Sequence, residues 1–291
     1  MPDVLMTPCG AGIYDMPAAV YHADPAPEPS LSSSIAKLIC QASPAHARHA
    51  HPRLNPAAVE EDAEKFDIGT AAHRLLLEGE AGVEVLDFPD FRTNAAKAAR
   101  DQARAAGKTP LLRKVWTDVE AMVAATRAQL AQHRDGGADM FTNGKPEQTL
   151  IWQEEDFGGI WCRARLDWLR PDAIDDFKST AASANPDDWT RTLFNCGFDL
   201  QCAWYLRGLK ALTGYDATFR FCVQETAAPF QLSVITLGPG ALTLAEKKCL
   251  YALEVWATCL TKGEWIGYPR RTCHAMLPPW QEAQWLEKEL R

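Results

Sequence analysis

Three residues near the middle of the chain have the types and spacing that metal-assisted chemistry needs. The segment RARLDWLRPDAIDDFKST, residues 163 to 180, holds Asp167, Asp176 and Lys178. If its two apolar runs pair as a hairpin around Pro171-Asp172, the register sets Asp167 directly opposite Asp176. Cross-strand Cβ atoms lie about 4.5 to 5.5 Å apart, and two carboxylates at that separation raise each other's pKa unless a cation sits between them. A hard, oxygen-seeking ion such as Mg2+ resolves the conflict, bound by one or two carboxylates and by phosphate oxygens of a substrate. Lys178, two residues on, returns to the same face of its strand. There an ammonium can orient a water and stabilise charge developing on a phosphoryl group. Asp-x-Lys alone is a weak signal, because an exposed hairpin with an ordinary ion pair would read the same way.

The elements that must position these residues follow from the patterning around them. From Glu147 onward, TLIWQ, GIWCRARLDWL and AIDDF are apolar runs separated by turn residues and predict a β-meander. Upstream, Ser30, Ser32, Ser33 and Ser34 offer N-caps to a helix through Ile35, Leu38 and Ile39 that ends before Pro44. A polar stretch from His46 to Pro56 follows, then a helix from about Glu61 to Glu78 stopped by Gly79. Another helix covers roughly Lys114 to His133 and closes on Asp135-Gly136-Gly137. Downstream come helical patterning from Asp187 to Leu212 and two strands, TFRFCVQE and FQLSVITL. A capping box, Thr243-x-x-Glu246, opens a long helix to about Thr261, and a short Trp-bearing helix ends the chain. Residues 1 to 30, with Pro25, Pro27 and Pro29 close together, read as an irregular arm. This order predicts a single domain over residues 1–291 of mixed α/β (α+β) class, a central mixed sheet flanked by helices.

Four further residues bear on the same centre. Gly69-Thr70-Ala71-Ala72-His73 puts a histidine on a helix behind small residues, although a lone helix histidine is more often a packing residue. Gln201-x-x-x-Tyr205 is a polar pair on one helix face, and Glu147 opens the first strand of the meander. Taken in order, GTAAH, Glu147, RLD, DFKST and QCAWY resemble the GxxxH, E, GxxD, DxK and QxxxY series of the RecB-like branch of the PD-(D/E)xK nucleases. The finer resemblance is to the C-terminal nuclease domain of RecE (exonuclease VIII) and its phage-encoded relatives. It extends to LSSSIAKLICQASPAHAR, PEQTLIWQEEDFGGIWCRARLDWL and GEWIGY, and so covers nearly the whole chain.

That resemblance implies a restriction-endonuclease-like core in which His73, Asp167, Asp176 and the backbone carbonyl of Phe177 hold metal. Lys178 would assist the water, Glu147 would support the metal centre, and Gln201 and Tyr205 would contact DNA or steady the site. Asp175 beside Asp176 leaves a small ambiguity, in which the spacing to Lys178 favours Asp176. The implied activity is hydrolysis of double-stranded DNA from its ends, 5′ to 3′, with Mg2+ and with Mn2+ able to replace it. The products would be 5′-mononucleotides and a 3′ single strand for a RecT-like annealing protein in phage-type recombination. The resemblance also implies a ring-shaped homo-oligomer and a phage or prophage origin. Two other readings share the fold: a structure- or site-specific endonuclease, and a catalytically inactive DNA-binding scaffold. Some relatives carry an iron–sulfur cluster on one upstream and three C-terminal cysteines. Cys249, Cys259 and Cys273 are too widely spaced for that pattern, and no cluster is expected.

Composition sets the outer bounds. A net charge of −8 argues mildly against nucleic acid as a partner. The objection is met if positive charge is concentrated locally. Between Arg92 and Lys114 there are seven Lys or Arg residues against one acid, Asp101, and Lys97, Arg100 and Arg104 share one helical face. Nine cysteines scattered through apolar segments, without a CxxC pair, fit reduced structural thiols, and the seven histidines complete no zinc spacing. Trp152, Trp161 and Trp168 are expected to pack the sheet rather than stack on bases. No apolar run reaches the roughly 18 to 20 residues of a membrane helix, and the N-terminus lacks a secretory pattern, so a cytoplasmic protein with no membrane partner is expected.

Overall fold

A computed structural model describes residues 8–55, 57, 68–79 and 82–290 of the chain. Its strands are β1 (Gly12–Asp15), β2 (Leu31–Ser32), β3 (Val83–Leu86), β4 (Thr109–Leu112), β5 (Lys145–Glu154), β6 (Ile160–Leu169), β7 (Ala173–Thr180), β8 (Thr218–Glu225) and β9 (Leu232–Ile235). Its helices are α1 (Ala18–His22), α2 (Ser33–Gln41), α3 (Pro44–Ala50), α4 (Ile68–Leu77), α5 (Asn94–Ala105), α6 (Arg113–Ala131), α7 (Pro186–Asn195), α8 (Phe198–Thr213), α9 (Pro239–Lys262) and α10 (Pro279–Glu289).

The main sheet has the order β1-β5-β6-β7-β8-β9, with β2 alongside β6. The meander β5-β6-β7 is antiparallel, whereas β7 and β8 run parallel across a crossover through α7 and α8. A parallel strand with helices on both sides loses the alternation of a half-exposed one. That is why AIDDF, the first five residues of β7, is buried throughout, including both aspartates. On one face α2, α8 and α9 pack over Trp152, Leu166, Trp204, Leu253 and Trp256. On the other, α4 and α6 bring Leu75, Met122 and Val123 against Phe177 and Cys222. Each fully buried large apolar side chain contributes on the order of 1.5 to 3 kcal/mol, so these two layers fix the sheet and the side chains that project from its ends. Gly208 of α8 lies so near the sheet that a Cβ there would come within 2.6 Å of the Trp152 ring. Among the described residues, no helix is long and apolar enough to cross a membrane.

Several expectations need correction. The N-terminal arm is not irregular throughout: residues 12 to 15 form the edge strand β1 against β5, and α1 follows. A four-residue strand carries too little pattern to be seen before its partner is known. The polar stretch after Pro44 begins as α3, capped by Ser43, whose Oγ accepts from the His46 N–H. The helical stretch from Asp187 to Leu212 is two helices, broken at Gly197, whose φ of 65° lies in the left-handed region. The capping box at Thr243 is unused, because Pro239 starts α9 four residues earlier and the Thr243 hydroxyl donates to the Pro239 carbonyl within the helix. Residues 61 to 67 of the helix expected from Glu61 lie outside the described residues; α4 is its remainder.

Candidate active site

β6 and β7 leave their turn in the expected register, Trp168 opposite Asp175 and Leu169 opposite Ile174. The ladder ends there. β7 turns away to pair with β8 along its whole length, and the Asp167 carboxylate bridges the gap by accepting a hydrogen bond from the Phe177 N–H at 2.8 Å. His73, Glu147, Asp176 and Lys178 are set around that gap.

Glu147 approaches from β5. Pro146 pairs with Trp168 and Gln148 with Leu166, so Glu147 falls opposite Asp167. Its φ is 54°, a left-handed conformation that costs a residue with a Cβ roughly 1 to 2 kcal/mol. Arg165 holds it there. The Arg165 Nε donates to Glu147 at 2.6 Å, and its guanidinium also donates to the Met16 carbonyl at 2.8 Å, tying the N-terminal segment to the site. His73 approaches from α4, where buried Gly69, Ala71 and Ala72 let the helix lie close to the sheet. Its Nε2 is 3.2 Å from Asp167 Oδ2 and 3.8 Å from Glu147 Oε1.

One ligand atom from each of His73, Glu147 and Asp167 can be chosen so that all three lie within 4.8 Å of one another. Two donors on one ion with bonds of about 2.1 Å stand at most about 4.2 Å apart, so this group fits a divalent cation after a small contraction. It opens into a cleft of about 800 Å³ whose walls include Asp15, His22, Thr70, Arg74 and Gly107.

Asp176 and Lys178 lie on the α8 side. Asp176 is fully buried and ion-paired with Lys178. Its other oxygen accepts from Gln201 Nε2 at 3.1 Å, and the same amide donates to the Tyr205 hydroxyl at 2.9 Å. The Lys178 ammonium sits 5.2 Å from the centre of the Phe198 ring.

The charges act strongly on one another. Burial raises the Asp167 pKa, but His73, Lys178 and the Phe177 N–H outweigh it and hold the group at about 2. Burial and the negative charge of Asp167 push Asp176 up to about 6 against the pull of Lys178. Burial, then Asp167, also raises Glu147. For His73 and Lys178 burial lowers the pKa, yet the surrounding carboxylates win and both are raised. Asp176 and Glu147, whose ionisation burial and the Asp167 charge disfavour, are groups that a bound cation would relieve.

The residues singled out from sequence are distributed unequally. His73 and Asp167 stand together as expected, and Glu147, assigned a supporting role, is itself within ligand range. Asp176 falls outside that group of three because Lys178 and Gln201 hold its carboxylate. Phe177 meets the site through its N–H, which donates to Asp167 at 2.8 Å. Gln201 and Tyr205 are buried, and the contacts they make run inward to Asp176, the steadying role of the two expected for them. Asp175 points to the opposite face, where Arg220 and the Phe141 N–H neutralise it. Of the basic stripe on α5, Lys97 is exposed, while Arg100 is bound to Asp101 at 2.9 Å and Arg104 is half-buried. Arg165 was missed, although its place two residues before Asp167 on one strand face was a usable signal.

Residues 32–275 match the profile of a family described as a PDDEXK-like domain of unknown function (DUF3799). Among solved structures, the chain is similar to a Eubacterium rectale protein described as a candidate exonuclease. The TM-score is 0.56 at 14% identity, over 91% of this chain and 97% of that one. At that identity the likeness speaks for the fold. No curated protein sequence matches the chain.

Proposed function

Because the chain belongs to the PDDEXK-like family, we propose that it is a divalent-metal-dependent nuclease, and specifically a Mg2+-dependent exonuclease acting on double-stranded DNA ends. The observation that carries this reading is the group His73, Glu147 and Asp167 at one side of the β6–β7 gap, with the Asp176–Lys178 pair at the other. A cation held by the first group would supply Lewis acidity and a bound water of lowered pKa. Lys178, kept protonated by Asp176 and Asp167, presents its ammonium where charge accumulates on a phosphoryl oxygen. Gln201 and Tyr205 lock the Asp176 rotamer, and Arg165 locks Glu147. His73, whose pKa is raised, must give up its proton to act as a ligand, so loading releases protons.

Action at ends is supported by the RecE-like order of motifs and by the description of the Eubacterium rectale protein as a candidate exonuclease, whereas the 5′ to 3′ polarity rests on the motif order alone. On this reading the products are 5′-mononucleotides and a 3′ single strand suited to an annealing protein of the RecT kind. A gel of linear and closed circular plasmid with Mg2+ tests it. Linear DNA should be degraded and the closed circle spared, and a 5′ label should be released early while a 3′ label persists in long single strands. Rapid nicking of the circle, abolished in Asp176→Ala, would establish an endonuclease instead.

A further inference from the structure

We infer that the cavity beside Lys37 is a second phosphate subsite, which grips an internal phosphodiester flanking the scissile bond of the substrate strand. The inference rests on the nuclease reading and names residues outside the catalytic group.

The cavity has a volume of about 470 Å³ and lies where α2, the α7–α8 junction and α9 meet; Lys37, Asn195, Gly197, Asp199 and Lys248 are among its lining residues. Two of its three charged side chains neutralise each other: Lys248 Nζ is 2.6 Å from the buried Asp199 carboxylate. Lys37 is left over. Among the described residues it has no carboxylate within ion-pair distance, and besides lying over the Phe198 ring its ammonium makes one long hydrogen bond, 3.5 Å, to Gln201 Oε1. That same Gln201 holds Asp176, so the cavity adjoins the catalytic centre through one side chain.

Lys37 and Lys178 also share a ring. Their ammonium nitrogens lie 5.0 Å and 5.2 Å from the centre of Phe198. Two cations around one ring, in a half-desolvated position, disfavour each other, and burial together with Lys178 brings the Lys37 pKa down to about 8. An anion between α2 and α8 removes that conflict. α8 starts at the same place, with Gly197 as an N-cap that has no side chain to satisfy the first-turn N–H groups.

The charge balance selects the kind of anion. One unpaired ammonium beside an internally neutralised Lys248–Asp199 pair suits a single negative charge. An internal phosphodiester carries one, whereas a terminal phosphate carries about 1.5 to 2 near pH 7 and would face the Asp199 carboxylate.

The test uses the full chain, duplex oligonucleotides with 5′-phosphate or 5′-hydroxyl ends, and the variants Lys37→Met and Lys37→Arg. Methionine retains the apolar stem against Phe198 and deletes the charge. The expected result is a KM about tenfold higher for Lys37→Met, a log–log salt dependence of DNA binding shallower by about 0.9, and substantial recovery of both in Lys37→Arg. Both kinds of 5′ end should suffer equally. An unchanged salt slope with a loss confined to kcat would make Lys37 a prop for Gln201 and overturn the subsite. A penalty confined to 5′-phosphorylated ends would overturn the internal assignment. Absence of DNA binding and hydrolysis in the unsubstituted protein would instead remove the nuclease reading itself, and no variant is needed to see that.

Discussion

The oxygen of Asp167 that accepts the Phe177 N–H, Oδ2, is also the one 3.2 Å from His73 Nε2. One carboxylate oxygen therefore joins the strand that carries Lys178 to the helix that carries His73. It does so at the place where two strands stop pairing, so the divergence of β6 and β7 creates both the opening and the acceptor that fills it.

Asp167→Asn, Asp176→Asn and Lys178→Met should each reduce DNA hydrolysis by at least about 100-fold, the usual cost of deleting one preorganised electrostatic interaction. Circular dichroism and thermal melting should report folded protein. Near-normal digestion by a folded Asp176→Asn variant would remove that residue from the active site.

His73→Ala separates a ligand from a packing residue. Removal of a ligand should raise the Mg2+ concentration for half-maximal rate by roughly 10- to 100-fold, by analogy with the effects known for groups around metal sites. A packing role predicts a lower melting temperature with the Mg2+ dependence unmoved.

The two central aspartates give opposite pH signatures. Asp176 is raised to about 6, so its contribution to stability is complete below the ordinary carboxylate range and is lost as pH rises through about 6. Asp167 is lowered to about 2, so its contribution is present above the ordinary range and is lost only as pH falls toward 2. Between about pH 4.5 and 7 the Asp176 effect falls together with that of Glu147, whose pKa is also raised, and above about 6.5 the raised His73 adds to the same trend, whereas Asp167 does not change. The Asp176 contribution to the melting temperature without divalent ions should fall over that window, and the rise produced by saturating Mg2+ should grow, because the site gains a negative charge. A Mg2+-induced shift that stays constant from about pH 5 to 7 in scanning fluorimetry would contradict this.

Replacing Lys97, Arg100 and Arg104 together with alanine tests the α5 stripe. For every phosphate that the stripe neutralises, the substitution should flatten the salt dependence of binding by about 0.9 in log–log slope. Lys97, being exposed, should account for most of the change, since Arg100 is occupied by Asp101. An unaltered slope would mean that the stripe is only a solvated helix face.

The hairpin register was legible because Pro171-Asp172 marks a turn and both flanking runs are long enough to define a strand. From it came the expectation that Asp167 faces Asp176 across the pair, but the ladder ends one step earlier, at Trp168 and Asp175, because β7 leaves β6 to pair with β8, a divergence that no local pattern announces. His73 was legible only through the order of motifs, since nothing local distinguishes it from a packing histidine. The left-handed backbone at Glu147 was not legible, because it is stabilised by Arg165 and so by a residue 18 positions along the chain. The inward direction of Gln201 and Tyr205 depends on how α8 is rotated against the sheet, and periodicity alone cannot say which face of a mostly apolar helix meets which layer. The start of α9 was misplaced because Thr243-x-x-Glu246 is a locally valid cap that yielded to Gly238-Pro239.

The pairing of β1 with β5 joins Gly12 to Ile151, and that of β2 with β6 joins Leu31 to Cys162. During synthesis at about 5 to 20 residues per second, the strands made first must therefore wait on the order of ten seconds before a partner exists. Pairings of such long sequence separation are also slow to close once both ends are available. Glu147 is tethered through Arg165 to Met16, so the candidate site depends on a contact between residues 149 positions apart as well as on its local hairpin.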